Sequence, residues 1–175
     1  MEPDLKDRLY QRRRAIDVSV CSDYIEEGHR LGWFLSDIGQ LNPLYSRKQA
    51  NVKIDMGALF QGIQSAAPAR LDGMELVSLV KQRTSCVMYA EGEYFGVHED
   101  SPFVEEDGRG ITKLSTVLYL NDDFSGGETV FPDLQLEIVP ESGKALLFAP
   151  ELRHMSKPVL RGIKYIVRSE VLYRI

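Results

Sequence analysis

From residue 74 onward, the sequence is a series of short apolar or alternating segments, each closed by residues that favour turns. Segments of this length are typical of β-strands, and the Gly, Pro, Asn and Asp residues between them are typical of turns. About eight antiparallel strands make a jelly roll, so the pattern predicts a mainly β fold, a double-stranded β-helix. The predicted strand segments are residues 74–80, 84–90, 93–98, 111–120, 127–131, 134–139, 144–149, 152–155 and 163–173.

The part of the chain before residue 74 has a different pattern, which predicts mainly helices that support the β-rich part. Apolar residues spaced along residues 4–16 predict a first helix. A second helix is predicted to begin at Ser22 or Asp23, and Glu26 is placed to complete a capping box with Asp23. We interpret His29, which lies in this second helix, as an ordinary helix residue rather than a metal ligand.

Shorter features connect these helices. Residues 18–20 predict a short strand, and residues 36–53 have the composition of a loop. A third helix is predicted after Asp55, which is placed to cap its N-terminus. Because no repeat or linker separates the two parts, the whole chain is predicted to be a single domain, with residues 1–73 as helical support for the jelly-roll core.

Composition limits the partners that the chain can have. The formal net charge is -5, which argues against binding to nucleic acid or to an anionic membrane surface. No signal pattern opens the chain and no apolar run approaches the roughly 20 residues of a membrane span, so the expected location is cytoplasmic. Two cysteines are too few for a disulfide framework or for a cysteine zinc cluster.

The pair His98-x-Asp100 is a candidate for part of a metal site. Side chains two positions apart on a strand point to the same face, so an imidazole and a carboxylate are presented together. With His29 assigned to a helix, His154 is the remaining histidine that can complete the site. Two histidines and one carboxylate form the facial triad of non-heme Fe(II) oxygenases. A His-x-Asp pair arises often by chance, so this assignment depends on the rest of the chain.

Cationic residues follow His154 in the last predicted strand. Lys164, Ile166 and Arg168 alternate there and are expected to share one face. A cation inside an apolar barrel needs an anion, because an unpaired buried charge is very costly. The carboxylate of a ligand would supply that anion.

Taken together, these motifs resemble the Fe(II)- and 2-oxoglutarate-dependent dioxygenases, and within them the prolyl 4-hydroxylase-like branch. The resemblance covers roughly residues 74–173, and its motifs occur in the order that the family has them. They are Tyr89, Tyr94, His98-x-Asp100, Tyr119-Leu120-Asn121, Gly126-Gly127-Glu128-Thr129-Val130-Phe131-Pro132, and His154 followed by Pro158-Val159 and Gly162-x-Lys164-Tyr165.

The resemblance implies a role for each site residue. Lys164 would pair with the C5 carboxylate of 2-oxoglutarate, and Arg168 is the second candidate for that carboxylate, for the C1 carboxylate or for the substrate. Tyr89 or Tyr119 would hydrogen-bond the C5 carboxylate. The Fe(II) ligands would be His98, Asp100 and His154.

The implied reaction is hydroxylation of a C–H bond with O2, in which 2-oxoglutarate is converted to succinate and CO2. Ascorbate is a further reductant that the resemblance allows. Tyr94 and Arg109 are the weaker candidates for contacts with substrate, and residues 101–112 have the composition of a loop that covers a site. A prolyl residue in a protein, a free amino acid and a small molecule all fit as substrates, because the iron and 2-oxoglutarate motifs do not choose among them.

Two other functions stay open from the sequence, as does the oligomeric state. A cupin-like metal protein on the same fold would usually use three histidines and a glutamate, and it would leave Lys164 without a role. A catalytically silent binding module would not need an intact set of iron ligands.

Overall fold

The computed structural model describes residues 5–34, 45, 46, 48–50 and 54–175. Within them, the helices are α1 (Val18–Leu31) and α2 (Met56–Gln64). Each of the nine segments predicted as a strand contains one. The strands are β1 (Leu9–Arg12), β2 (Tyr45–Ser46), β3 (Lys48–Ala50), β4 (Arg70–Leu71), β5 (Met74–Leu79), β6 (Ser85–Tyr89), β7 (Tyr94–His98), β8 (Gly110–Tyr119), β9 (Ser125–Gly126), β10 (Thr129–Phe131), β11 (Leu136–Ile138), β12 (Ala145–Phe148), β13 (His154–Ser156), β14 (Val159–Arg161) and β15 (Lys164–Arg174).

These strands form two main antiparallel sheets. In the described part of the chain, the larger sheet has the order β1-β12-β8-β15-β5-β4, and β6 pairs with both β15 and β3. The smaller sheet has the order β11-β10-β13-β7-β2, and β9 pairs with β14 beside them. β15 is the central strand, since it pairs with β8 along one edge and with β6 and then β5 along the other. The predicted double-stranded β-helix is confirmed.

Two apolar cores hold this arrangement together, one on each face of the larger sheet. Burial of apolar side chains is the main stabilising contribution in both. The core between the two sheets is built mainly from Val87, Tyr89, Phe95, Tyr119, Phe131, Leu146, Phe148 and Ile166. The core between the larger sheet and the helices is built mainly from Cys21, Tyr24, Leu59, Ile63, Cys86, Leu114, Leu118, Leu147, Val167 and Tyr173.

The helix predicted over residues 4–16 is wrong. Leu5–Arg8 form a short 3-10 turn, and β1 then pairs antiparallel with β12 at the edge of the larger sheet. The edge of β12 offers a row of backbone donors and acceptors that this segment satisfies. An apolar pattern along the chain does not reveal such a partner more than 130 residues away.

Helix α1 begins earlier than predicted. Its N-cap is Asp17, whose carboxylate accepts a hydrogen bond of 2.8 Å from the Ser19 amide. The predicted strand over residues 18–20 and the predicted capping box are therefore wrong. These residues form the first turn of α1, in which Val20 packs against the core and Val18 is exposed. The predicted helical placement of His29 is confirmed, and its Nε2 atom hydrogen-bonds the Tyr165 hydroxyl at 2.8 Å.

Helix α2 is confirmed as predicted. The Asp55 carboxylate accepts from the amides of Gly57 at 2.9 Å and Ala58 at 3.1 Å, and so caps the helix. The segment predicted as a loop over residues 36–53 contains β2 and β3, and its other residues lie outside the described part of the chain. Neither described helix is long and apolar enough to cross a lipid bilayer.

Gly62 in α2 is expected to resist substitution, although alanine is the better helix former. A Cβ atom at this position would overlap the backbone carbonyl oxygen of Ala15. Helix propensity alone predicts that Gly62→Ala stabilises the protein by about 1 kcal/mol, but overpacking against fixed backbone costs roughly 1–3 kcal/mol. We expect a lower free energy of unfolding in urea, with Gln61→Ala within about 0.5 kcal/mol of wild type. A Gly62→Ala protein at least as stable as wild type would contradict this packing.

Candidate active site

Three side chains on the smaller sheet converge at one end of the core between the sheets. His98 at the end of β7 lies directly opposite His154 at the start of β13 in the antiparallel register. Asp100 follows β7, and its amide donates to the Pro150 carbonyl at 2.9 Å. The Asp100 carboxylate oxygens lie 3.7 Å from His98 Nε2 and 3.8 Å from His154 Nε2. One ligand atom from each of the three residues lies within 4.8 Å of the others.

The two imidazole rings are held in the tautomer that metal binding requires. The Nδ1 atom of His98 lies 2.8 Å from the Gly96 carbonyl, and that of His154 lies 2.9 Å from the Leu152 carbonyl. A carbonyl only accepts, so each Nδ1 carries the proton and each Nε2 presents its lone pair to a metal. Phe95 stacks on the His98 ring at a centroid distance of 3.6 Å, which fixes the plane of that ring.

The Asp100 carboxylate is oriented from the facing sheet. Ser115 on β8 donates its hydroxyl to Asp100 Oδ2 at 2.5 Å. Hydrogen bonds of this kind fix the direction of a ligand carboxylate and tune its basicity. Glu99, between the two predicted ligands, is exposed, as the alternation along the strand predicted.

Ser115→Ala is expected to weaken metal binding by roughly 10- to 100-fold, the usual effect of losing such a supporting hydrogen bond. Titration of the apoprotein with Mn(II), followed by its electron paramagnetic resonance signal, measures this affinity. Thr116→Val is the matched control, since the Thr116 hydroxyl is buried without a hydrogen-bond partner in the described part of the chain. Equal affinities for the two variants would show that Ser115 does not support the metal ligands.

The three residues open into a cavity of ≈ 580 Å³, including its mouth. Its wall on the larger sheet includes alternate residues of β15, which confirms the shared face predicted for that strand. These residues are Lys164, Ile166, Arg168 and Glu170.

Lys164 is a buried cation in the wall of this cavity, with 1% of its surface exposed. Its ammonium donates to the Gly127 carbonyl at 2.6 Å and to the Ser156 hydroxyl at 2.8 Å. It also lies 5.1 Å from the ring centre of Tyr89 and 5.7 Å from that of Tyr119, within the range of cation–π attraction. These contacts fix a positive charge at one place inside the barrel.

The absence of a side chain at Gly127 leaves room for the Lys164 side chain. The φ of Gly127, +68°, is in the left-handed region, and a Cβ atom would lie 3.0 Å from Lys164 Cδ. Gly126 belongs to β9, which pairs with β14.

The other predicted site residues differ in how close they lie to the cavity. Tyr89 lines it, and Tyr119 is fully buried beside Lys164. The Tyr119 hydroxyl hydrogen-bonds that of Thr129 at 2.7 Å, and burial raises the pKa of Tyr119, so the phenol stays protonated. Tyr94 and Arg109 are not among the described residues that line the cavity, and Arg109 lies in an exposed turn before β8.

Residues 101–112, predicted to be a loop over the site, fold back on themselves and lead into β8. The Glu105 amide donates to the Gly110 carbonyl at 2.9 Å, and the Thr112 amide donates to the Phe103 carbonyl at the same distance. Arg83 ties the beginning of this segment to the barrel through the Ser101 carbonyl at 2.9 Å.

Sequence reasoning missed several polar residues that support the site. Ser115, Ser156 and Glu170 each lie on a strand face that also carries a predicted ligand or cofactor contact. Alternation within one strand would have flagged Glu170, two residues beyond Arg168. The serine contacts cross between sheets, so no sequence signal predicts them.

The site fits a divalent metal with a dicarboxylate beside it. Two imidazole nitrogens and a carboxylate, each fixed by a further hydrogen bond, are the donor set that suits Fe(II). A buried ammonium on the opposite sheet can pair with a carboxylate of a ligand in this cavity.

Comparison with known proteins agrees with this donor set. Residues 84–169 match the family model of the 2OG-Fe(II) oxygenase superfamily. A protein of Acanthamoeba polyphaga mimivirus named "Putative prolyl 4-hydroxylase" is 33% identical over 99 residues, and the match covers 46% of this chain and 40% of that protein. This chain thus matches about two fifths of the length of that relative.

Two solved structures have the same fold at low sequence identity. One is the viral collagen prolyl hydroxylase of Paramecium bursaria Chlorella virus-1 in complex with 2-oxoglutarate, with a TM-score of 0.65, 17% identity, and coverage of 96% of this chain and 97% of that one. The other is a Trichoplax adhaerens prolyl hydroxylase in complex with a peptide of hypoxia inducible factor, with a TM-score of 0.67, 18% identity, and coverage of 95% and 83%.

The matched segment begins at β6 and ends in β15, so it includes the three candidate metal ligands and Lys164. Members of the matched family use Fe(II), 2-oxoglutarate and O2. Over this segment, which is just under half of the chain, the protein is similar to the 2OG-Fe(II) oxygenase superfamily, and its likeness to the mimivirus protein is consistent with the prolyl 4-hydroxylase-like branch.

Proposed function

We propose that this protein is a 2-oxoglutarate-dependent hydroxylase, which inserts one oxygen atom of O2 into a C–H bond and releases succinate and CO2. One observation carries the proposal. A set of two histidines and one carboxylate shares a cavity with a buried lysine on the facing sheet. Binding of a metal alone would need only the two histidines and the carboxylate. The buried lysine would in addition bind one carboxylate of a dicarboxylate such as 2-oxoglutarate.

The proposal gives a role to each of the three candidate metal ligands. His98, Asp100 and His154 would hold Fe(II), and the bound ion would supply the activation of O2 at the coordination positions that the protein leaves open. The hydrogen bonds that these side chains make with the Gly96 carbonyl, the Leu152 carbonyl and the Ser115 hydroxyl would keep them oriented before a metal binds. The protein thereby avoids reorganisation when it binds its cofactors.

Lys164 is proposed to hold the C5 carboxylate of 2-oxoglutarate, with Tyr89 or the protonated Tyr119 as a second donor. Arg168 is the less suitable partner for that carboxylate. It lies four residues further along β15, which is about 13 Å at 3.3 Å per residue, and it is only partly buried. A salt bridge is stronger at the buried position because less water competes there.

The core between the sheets limits access of water to the reacting groups. Phe131 and Phe148 are almost fully buried next to the metal ligands, and Phe148 meets the His154 ring edge-on at 4.5 Å. A dry cavity strengthens each electrostatic contact and suppresses side reactions. The proposed substrates are a prolyl residue in a protein, a free amino acid or a small molecule.

The proposal is tested by measuring succinate formation and thermal unfolding. Fe(II) and 2-oxoglutarate, added without oxygen, are expected to raise the unfolding temperature. With oxygen, succinate is expected even without substrate, through slow uncoupled turnover. Absence of both effects would refute the proposal. Binding of both ligands without any succinate would instead favour a catalytically silent module.

A further inference from the structure

The candidate metal ligand Asp100 lies in the chain after β7 rather than in a strand. Its amide donates to the Pro150 carbonyl, and Ser115 on β8 orients its carboxylate. The backbone that follows Asp100 enters the segment 101–112. Segments outside a sheet are in general more mobile than strands, so a ligand at this place needs further contacts to keep its position.

A second inward side chain of the larger sheet lies next to Ser115. Ser115 on β8 is directly opposite Glu170 on β15 in the antiparallel register, and both residues line the cavity. Glu170 is buried and carries a carboxylate. The roles proposed above for binding Fe(II) and 2-oxoglutarate do not include this carboxylate.

One oxygen of the Glu170 carboxylate is connected through an arginine to the residue after Asp100. Arg83 Nη1 donates to Glu170 Oε1 at 3.0 Å and to the Ser101 carbonyl at 2.9 Å. The Arg83 guanidinium carbon also lies 5.6 Å from the centre of the Phe103 ring, within the range of cation–π attraction. Arg83 therefore holds Ser101 and Phe103, and Glu170 holds Arg83.

The other oxygen of the same carboxylate reaches this backbone through a threonine. Thr112 donates its hydroxyl to Glu170 Oε2 at 3.1 Å, and the hydroxyl oxygen accepts from the Phe103 amide at 2.8 Å. A hydroxyl that donates and accepts at once links its two partners in a fixed arrangement. Both oxygens of one buried carboxylate are thus connected, each through a single side chain, to the backbone just after Asp100.

We infer that Glu170 is a positioning residue for Asp100 and that it acts through Arg83 and Thr112. These three residues are called the Glu170 clamp below. The inference rests on the proposed function, because it assigns the clamp to the metal site. Ser115 orients the Asp100 carboxylate directly, whereas Glu170 fixes the backbone that carries it. A ligand that is held in place before the metal binds loses less conformational freedom on binding, which raises the affinity for the metal.

Amide hydrogen exchange of the metal-free protein, followed by NMR, tests the effect on the backbone. Glu170→Gln keeps the size of the side chain but removes its charge and one of its two acceptor oxygens. Exchange at the Asp100 and Phe103 amides is expected to become about tenfold faster, the effect of losing one hydrogen bond to a charged group. The Glu105 amide, which donates to the Gly110 carbonyl in the same segment, is expected to keep its wild-type rate.

Titration of the metal-free protein with Mn(II) measures the effect on the metal site. Glu170→Gln and Arg83→Gln are each expected to weaken binding by about tenfold, the lower end of the range for residues that support metal ligands. Arg174→Gln is the matched control. Arg174 binds the Glu105 carboxylate of the same segment through hydrogen bonds of 2.5 and 2.6 Å, but Glu105 is further from Asp100 along the chain. This variant is expected to bind Mn(II) with wild-type affinity.

A double variant covers the case in which a single variant does not fold. Each single variant leaves one charge of the pair without its partner, which destabilises the protein when that charge is buried. Arg83→Gln combined with Glu170→Gln removes both charges. The double variant is expected to show the same tenfold loss of Mn(II) affinity as the single variants.

A comparison in the Asp100→Ala background separates an effect on Asp100 from a general loss of structure. Ni(II) is the probe here, because it binds imidazole more tightly than Mn(II) and can bind to His98 and His154 without the carboxylate. Glu170→Gln is expected to lower the Ni(II) affinity when Asp100 is present. It is expected to leave the affinity unchanged in Asp100→Ala, since the clamp then has no ligand to position.

Three results would overturn the inference while the proposed function stands. The first is wild-type Mn(II) affinity in Glu170→Gln and in the double variant. The second is a loss of affinity in Arg174→Gln as large as that in Glu170→Gln. The third is an equal effect of Glu170→Gln with and without Asp100. If the proposed function itself were wrong, the wild type would neither bind metal at this site nor form succinate.

Discussion

Asp100→Ala is expected to abolish iron-dependent turnover while the protein stays folded. In the proposed metal site, Asp100 would be the anionic ligand, and its carboxylate lies 3.7 and 3.8 Å from the Nε2 atoms of the two histidines. A bound metal contributes several kcal/mol to catalysis, so losing it lowers the rate by roughly 10³-fold or more. Succinate formation with 2-oxoglutarate and Fe(II) measures the rate, and metal analysis after gel filtration measures the bound iron.

Glu99→Ala is the matched control for this experiment. It removes the carboxylate next in sequence, which is exposed and points away from the metal site. Its iron content and rate are expected to equal those of wild type. If Asp100→Ala retained stoichiometric iron and turnover, the assignment of the metal site would be wrong.

Lys164→Met is expected to raise the KM for 2-oxoglutarate by about 30- to 1,000-fold, with a smaller effect on metal affinity. The range corresponds to the loss of one partner of a buried, hydrogen-bonded charge pair. Methionine has a similar length and fits an apolar cavity, so it removes the ammonium with little change in packing. Steady-state rates at varied 2-oxoglutarate measure the KM, and Mn(II) binding without 2-oxoglutarate measures the metal affinity.

A second buried lysine allows loss of stability to be separated from loss of 2-oxoglutarate binding. Lys144 donates to Glu141 and to the Val139 carbonyl, both at 3.0 Å, and it is not among the described residues that line the cavity. Lys144→Met is therefore expected to lower the unfolding temperature without changing the KM for 2-oxoglutarate. Lys164→Arg keeps the charge and is expected to recover part of the affinity. An unchanged KM in Lys164→Met would indicate that Arg168, rather than Lys164, binds the C5 carboxylate of 2-oxoglutarate.

Prediction from sequence succeeded for most features with a local signal, although the strand and the capping box predicted near the start of α1 were wrong. Every predicted strand after residue 73 was found, because alternation and turn residues act over only a few positions along the chain. The cap of α2 at Asp55 was found for the same reason. The first predicted helix failed because the corresponding segment is a strand that pairs with β12, and a partner that far along the chain leaves no local pattern.

The candidate site likewise contains some features that local spacing predicts and others that it does not. His98 and Asp100 could be paired from their spacing on one strand, and so could Lys164 and Arg168 on another. The contacts of Ser115 with Asp100 and of Ser156 with Lys164 join different strands, and chain spacing does not predict them.

By itself, the sequence determined the nine strands predicted after residue 73 and the kinds of side chain available on each of their faces. Only the tertiary structure decided that His154 lies opposite His98, that Lys164 is buried against Tyr89 and Tyr119, and that Arg168 and Glu170 share the cavity with the metal ligands. The physical reason is the difference in range between the two kinds of interaction. Backbone geometry and turn preferences act between neighbours in the chain, whereas sheet register and burial are set by residues far apart in sequence that pack together to exclude water.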